Sequence, residues 1–129
     1  MNSEPLPLIN AELSQELFER VDDPESDQMQ REIWSHLRAE LQHDLENTLE
    51  KSRTAGLAVL KADLHRIRGY CASCALSRLA GIAGKGGILR DWECHPDPVA
   101  ASAHYGPIAL AIARDSIGEM ERIYPHLAG

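Results

Sequence analysis

The chain has 129 residues, 43% of them hydrophobic, 26% charged and only 5% aromatic, with a formal net charge of −7. One domain with one core suits this length, and the hydrophobic content excludes wholesale disorder. The acidic balance argues against a general nucleic-acid binder, and the scarcity of aromatics leaves Leu, Ile and Ala to build a helical interior.

Residues 1–9 read as a loosely ordered lead-in because of Pro5 and Pro7, and MNSEPLPLIN lacks the basic and apolar regions of a signal peptide. Residues 10–129 read as a single helical domain. Asn10 is suited to cap a short helix, AELSQELFERV, with Leu13, Leu17 and Phe18 on one face. DDPES breaks it, and a long second helix is expected from Ser26 or Asp27. Its apolar stripe is Ile33, Trp34, Leu37, Leu41, Leu45, Thr48 and Leu49, opposite a solvated face of Glu32, Arg38, Gln42, His43 and Glu46. A turn around Ser52–Thr54 follows, with Thr54 as the expected cap of a third helix from about Ala55 to Cys74.

Leu76, Leu79, Ile82 and Ala83 carry helical spacing into a fourth segment. Gly81, Gly84, Gly86 and Gly87 weaken it, each costing about 1 kcal/mol relative to Ala inside a helix. Two readings stay open: a break at Gly86-Gly87 with a restart over Ile88–Trp92, or glycines that let a neighbouring helix come close. CHPDP (94–98) is a loop. The last helix is expected from near Val99, bent or restarted at Pro107, to about Tyr124. There is no strand-like alternation, and no apolar run approaches the roughly 20 residues of a membrane span. The pattern predicts an all-α antiparallel bundle.

In the third helix, Leu57, Leu60, Leu64, Ile67, Cys71 and Cys74 step by threes and fours and form one stripe. Both cysteines of the C-x-x-C pair therefore lie on the core seam. A reactive pair of that spacing sits at a helix N-terminus after a strand, which is not the setting here. Zinc would need two further ligands, and the adjacent Cys94 and His95 in a proline-rich loop are an awkward pair. Core packing is the reading for Cys71 and Cys74. Three cysteines, an odd number, fit a reducing compartment, so the cytoplasm is expected.

His65 points elsewhere, roughly 125° from the centre of that stripe. Its neighbours on the same face are Ala58, Ala62, Gly69 and Ala72, all small, and Lys61, Arg66 and Arg68 flank it with positive charge. An uncrowded imidazole bordered by cations is suited to receive a phosphoryl group, since neutral imidazole carries a free lone pair near pH 7. Taken alone, this pattern favours the plainer reading, a solvated helix histidine with basic neighbours. His36 and His43, seven residues apart, are too far along their helix for a metal clamp, and His95, His104 and His126 have no comparable setting.

The segment 65–82, HRIRGYCASCALSRLAGI, resembles the signature of histidine-containing phosphotransfer (HPt) domains. His65, Ile67, Arg68, Gly69, Ala72, Cys74, Ala75 and Leu79 fall in register, with Arg68 in place of the usual lysine. Tyr70 stands where the family usually has a small residue, Ala75 replaces the common glycine, and Gly86-Gly87 replaces an apolar-acidic pair. The resemblance covers residues 26–92 well and the ends only in helical character. It implies an up-and-down four-helix bundle with an additional short N-terminal helix. It also implies a phosphoryl carrier, without kinase activity or cofactor of its own, that relays between aspartates of response-regulator receiver domains. By the same carry-over His65 is the phosphoacceptor, Arg68 assists electrostatically and Gly69 gives the partner room. Lys61, Ala62, Arg66, Ala72 and Leu76 would border the docking surface, with Leu13 and Leu17 possible contributors.

The expected partners are receiver domains or a hybrid histidine kinase, with the Mg²⁺ for transfer in the receiver's acidic pocket, and no nucleic acid or membrane. A cytoplasmic monomer is expected; the initiating Met and single-domain length favour a free-standing protein. Two alternatives belong to other classes. One is an HPt-like adaptor that binds a receiver or kinase without being phosphorylated. The other is a metal- or thiol-based sensor using Cys71, Cys74, Cys94 and His95.

Overall fold

The structure is a computed structural model and describes residues 6–128. Helix α1 (Ala11–Phe18) starts where expected, with the Asn10 side chain accepting the Leu13 N–H at 3.3 Å. Helix α2 (Pro24–Lys51) begins ahead of Ser26. Asp23 caps it, accepting from the Glu25 N–H and the Ser26 hydroxyl, and Pro24 takes the first position, where a missing N–H costs nothing. Helix α3 (Leu57–Ser73) has Gly56 rather than Thr54 at its N-cap; Thr54 belongs to the preceding turn, its N–H bonded to the Lys51 carbonyl.

The fourth segment breaks, and earlier than Gly86. Helix α4 spans only Ser77–Ala80, and α5 spans Ile88–Glu93. Between them Gly81, Ala83 and Gly84 take φ values of +104°, +51° and +82°, and Ile82 and Lys85 exchange backbone hydrogen bonds across the turn. The close approach also exists, but within the segment itself. A side chain at Gly87 would run into the backbone of Arg78 and Leu79, so the end of α4 and the start of α5 meet there. Helix α6 (Pro98–Ile123) continues through Pro107, and a 3₁₀ turn (Pro125–Leu127) follows.

Helix α2 packs antiparallel to both α3 and α6. Against α3, Lys51 meets Asp63 and Asp44 meets Arg66 and Tyr70; against α6, Trp34 and Arg38 meet Glu121 while Leu49 lies on Gly106. The split pair α4 and α5 packs on α3 and α6. Trp34, Leu41 and Leu45 from α2, Leu60, Leu64, Ile67 and Cys71 from α3, Leu89 and Trp92 from α5, and Ala109, Ala113 and Met120 from α6 form one core. Its indoles are satisfied: Trp34 donates to Glu121 at 3.0 Å and Trp92 to the Ser102 hydroxyl at 3.0 Å. Helix α1 closes one end, with Phe18 edge-on to Trp34 and Ser14 bonded to the Tyr124 hydroxyl.

Three expectations about burial change. Ile33, placed on the core stripe, is 46% exposed, because it sits beside Cys74 where α3 has ended. Leu57 is exposed at the first residue of α3. Residues 6–9 are held rather than loose: the Ser77 hydroxyl donates to the Pro7 carbonyl at 2.7 Å, Arg78 Nε to the Leu6 carbonyl at 2.6 Å, and Ile9 is buried. Residues 1–5 of that lead-in lie outside the described residues.

Candidate functional site

The core stripe of α3 fixes which way His65 faces. With Leu60, Leu64, Ile67 and Cys71 buried, the opposite side of the helix is open, and the His65 side chain is 71% exposed. Ala58, Ala62, Gly69 and Ala72 around it are exposed too. Gly69 is the informative neighbour. A Cβ added there would meet nothing within 4 Å, so no contact inside the fold requires glycine at this mid-helix position.

Arg68, one turn on, reaches back: its Nη2 lies 3.1 Å from His65 Nδ1. Glu93, in the last turn of α5, completes a triangle, with Oε1 3.3 Å from Arg68 Nη2 and Oε2 3.8 Å from His65 Nδ1. Arg68 and Glu93 are mostly covered, whereas the imidazole is not. Nε2 of His65 has no hydrogen-bond partner among the described residues, so the nitrogen remote from the triangle is the free one.

Sequence reasoning missed Glu93. The signal was the inward spacing of Leu89 and Trp92, which puts the next residue beside the buried face of α5. Without the geometry of the turn over 81–87 that spacing does not say which part of α3 it meets.

The remaining docking candidates divide. Lys61, Ala62 and Ala72 are exposed, and Lys61 has no acidic partner among the described residues. Arg66 is committed sideways, to Asp44 at 2.9 Å and Asp63 at 3.9 Å, and its hydrogen bond to Asp44 holds its pKa above the ordinary value. Leu76 is fully buried and borders no surface. The chain turns at Ala75, where φ is +69°, and helical counting from His65 no longer applies beyond it. Leu13 and Leu17 are half-buried on α1 and pack against the core.

Cys71 and Cys74 are buried in the core and Cys94 is exposed, so they do not converge with His95. No group of three or more potential metal ligands is assembled among the described residues. Burial pushes the Cys71 and Cys74 thiols up, away from the thiolate that nucleophilic or metal chemistry uses. His126 bonds Gln30 at 2.8 Å, and His104 packs edge-on to Tyr105. No helix among the described residues is long and apolar enough to cross a membrane. Compared with known proteins, the chain matches no family model, no curated protein and no solved structure.

Proposed function

We propose that the chain is a histidine phosphotransfer module, carrying a phosphoryl group on His65 between aspartates of receiver domains. The observation that carries this reading is Gly69. Glycine in a helix interior costs about 1 kcal/mol relative to alanine, and here nothing in the fold recovers that cost. An approaching partner that needs the space beside an exposed imidazole does. In the same reading α2, α3, α6 and the α4–α5 pair are the members of an up-and-down four-helix bundle, with α1 across one end. A cytoplasmic monomer without nucleotide or nucleic-acid ligand goes with it, as does Mg²⁺ held by the receiver.

The chemistry follows from the triangle. A guanidinium only donates, so with Arg68 on Nδ1 the neutral ring carries its proton on Nε2. Attack through Nε2 needs the other tautomer. Arrival of the receiver's aspartyl phosphate draws Arg68 onto the phosphoryl oxygens. With Nδ1 released, the exposed ring exchanges tautomer through solvent, losing the Nε2 proton to water and taking one up at Nδ1. Nδ1–H then bonds Glu93 Oε2, a closure of less than an ångström from 3.8 Å, and Nε2 presents its lone pair. The new P–N bond forms as the P–O bond to the aspartyl carboxylate breaks, and the carboxylate leaves. The ring retains its Nδ1 proton and becomes cationic, facing the Glu93 carboxylate. Reversal onto a second receiver uses the same contacts, because phosphoramidate and acyl phosphate are both high-energy.

The test is incubation with a set of phosphorylated receiver domains, wild type beside His65→Gln. Acid-labile, alkali-stable label on wild type alone is expected. A receiver that binds but transfers no label would instead establish an adaptor, and label on the variant would move the site elsewhere.

A further inference from the structure

A groove of about 480 Å³ runs between α2 and α3, on the side of α3 away from His65. Tyr70 and Cys74, which line it, lie roughly 140° and 180° around the helix from His65, so a partner seated on the imidazole does not cover it. Its floor is apolar: Leu37, Cys74 and Ile33, the last 46% exposed although it continues the inward stripe of α2. Asp44 stands at the buried end. Arg66 Nη1 and the Tyr70 hydroxyl both bond its Oδ2, each at 2.9 Å, which leaves Oδ1 without a protein partner among the described residues.

Charge in the groove is lopsided. Glu32, Glu40 and Asp44 line it together with the imidazole of His36, and the one permanent cation among its lining residues, Arg66, is already bound to Asp44. Glu40 has no cationic partner among the described residues. The size falls in the range of small-molecule sites, which pair an apolar lining with a few placed polar groups. An anion would meet carboxylates, and a neutral apolar body would leave them unanswered.

We propose that this groove binds a small organic cation, an ammonium group carried on an apolar body. The apolar part lies on Ile33, Leu37 and Cys74, and the ammonium group is held between Asp44 Oδ1 and Glu40. The site stands independently of the phosphotransfer reading, since none of its contacts involves His65.

The full chain would be titrated with phenethylammonium, using 2-phenylethanol and 3-phenylpropionate as neutral and anionic matches. Binding would be read by calorimetry and by backbone NMR shifts. Expected are shifts confined to Ile33, Leu37, Tyr70 and Cys74 and their neighbours. The ammonium probe should bind about fivefold more tightly than the alcohol, with no binding of the carboxylate. Glu40→Gln, at an exposed position the core does not use, should weaken the ammonium probe by about the same factor, while His65→Gln should leave it unchanged. Equal binding of alcohol and ammonium, or no effect of Glu40→Gln, would overturn the proposal. So would shifts scattered over the acidic surface. Groove shifts that grow with protein concentration alone would replace the ligand by a second copy. Shifts produced only by a basic amphipathic peptide would replace it by a partner's helix.

Discussion

At the scale of single residues the site separates what periodicity reveals from what it hides. The outward position of His65 and its small neighbours follows from counting threes and fours along α3, and the structure places them on one exposed face. Glu93 was not legible, because its place beside Arg68 depends on a glycine turn whose path no helical count supplies. Gly69→Ala is the sharpest test here. With open space at the added Cβ, the substitution should stabilise the fold by about 0.5–1 kcal/mol, raising the melting temperature by about 2–5 °C. It should also weaken receiver docking, raising KM for the phosphorylated receiver more than it lowers kcat. A stabilised variant that transfers normally would remove the main support for the reading. Glu93→Gln keeps the shape of the triangle and removes its charge. Transfer should slow about ten- to a hundredfold with receiver affinity retained, as stopped-flow transfer and binding titrations would show.

At the scale of elements, α1, α2 and α6 were legible to within a few residues from their apolar spacing, with Asn10 legible as the α1 cap. Asp23 with Pro24 and Asp97 with Pro98, read as a break and a loop, instead cap and open α2 and α6. The stretch between α3 and α5 was not. Ala75 at positive φ turns Leu76 into the core, and the run from Gly81 to Gly87 replaces a helix by a turn whose register is set by contacts with α4. Since that turn delivers Glu93 to His65, damage to it should reach the site. Gly87→Ala forces a side chain into the backbone of Arg78 and Leu79 and should destabilise the protein by about 1–3 kcal/mol, measured by urea denaturation. At temperatures where the variant remains folded its transfer rate should still fall, because α5 shifts relative to α3. Unchanged stability would show that the close approach at Gly87 is not rigid.

At the scale of the molecule, Cys71 and Tyr70 tie stability to pH. Burial raises the Cys71 thiol above its ordinary value of 9.0 and, with the hydrogen bond to Asp44, raises the Tyr70 phenol above 10.0. Both folded values lie above the unfolded ones. Below the unfolded values the two states hold the same protons, and the full stability is present. As pH rises past about 9 the unfolded chain ionises first, and stability is lost at up to about 1.4 kcal/mol per pH unit for the buried Cys71 and by less for the half-buried Tyr70, which solvent partly screens. Denaturation midpoints should therefore change little between pH 7 and 8 and fall above about pH 9, less steeply in Cys71→Ala. The same burial predicts that iodoacetamide modifies Cys94 alone in the folded protein, a result readable by mass spectrometry. What the whole assembly serves, in this account, is one exposed nitrogen. Correlation of ³¹P with imidazole ¹⁵N, on protein phosphorylated by a receiver domain, tests that most directly. The expected result is a single phosphoramidate bonded to Nε2 of His65; phosphorus on Nδ1, on another histidine, or on none would contradict it.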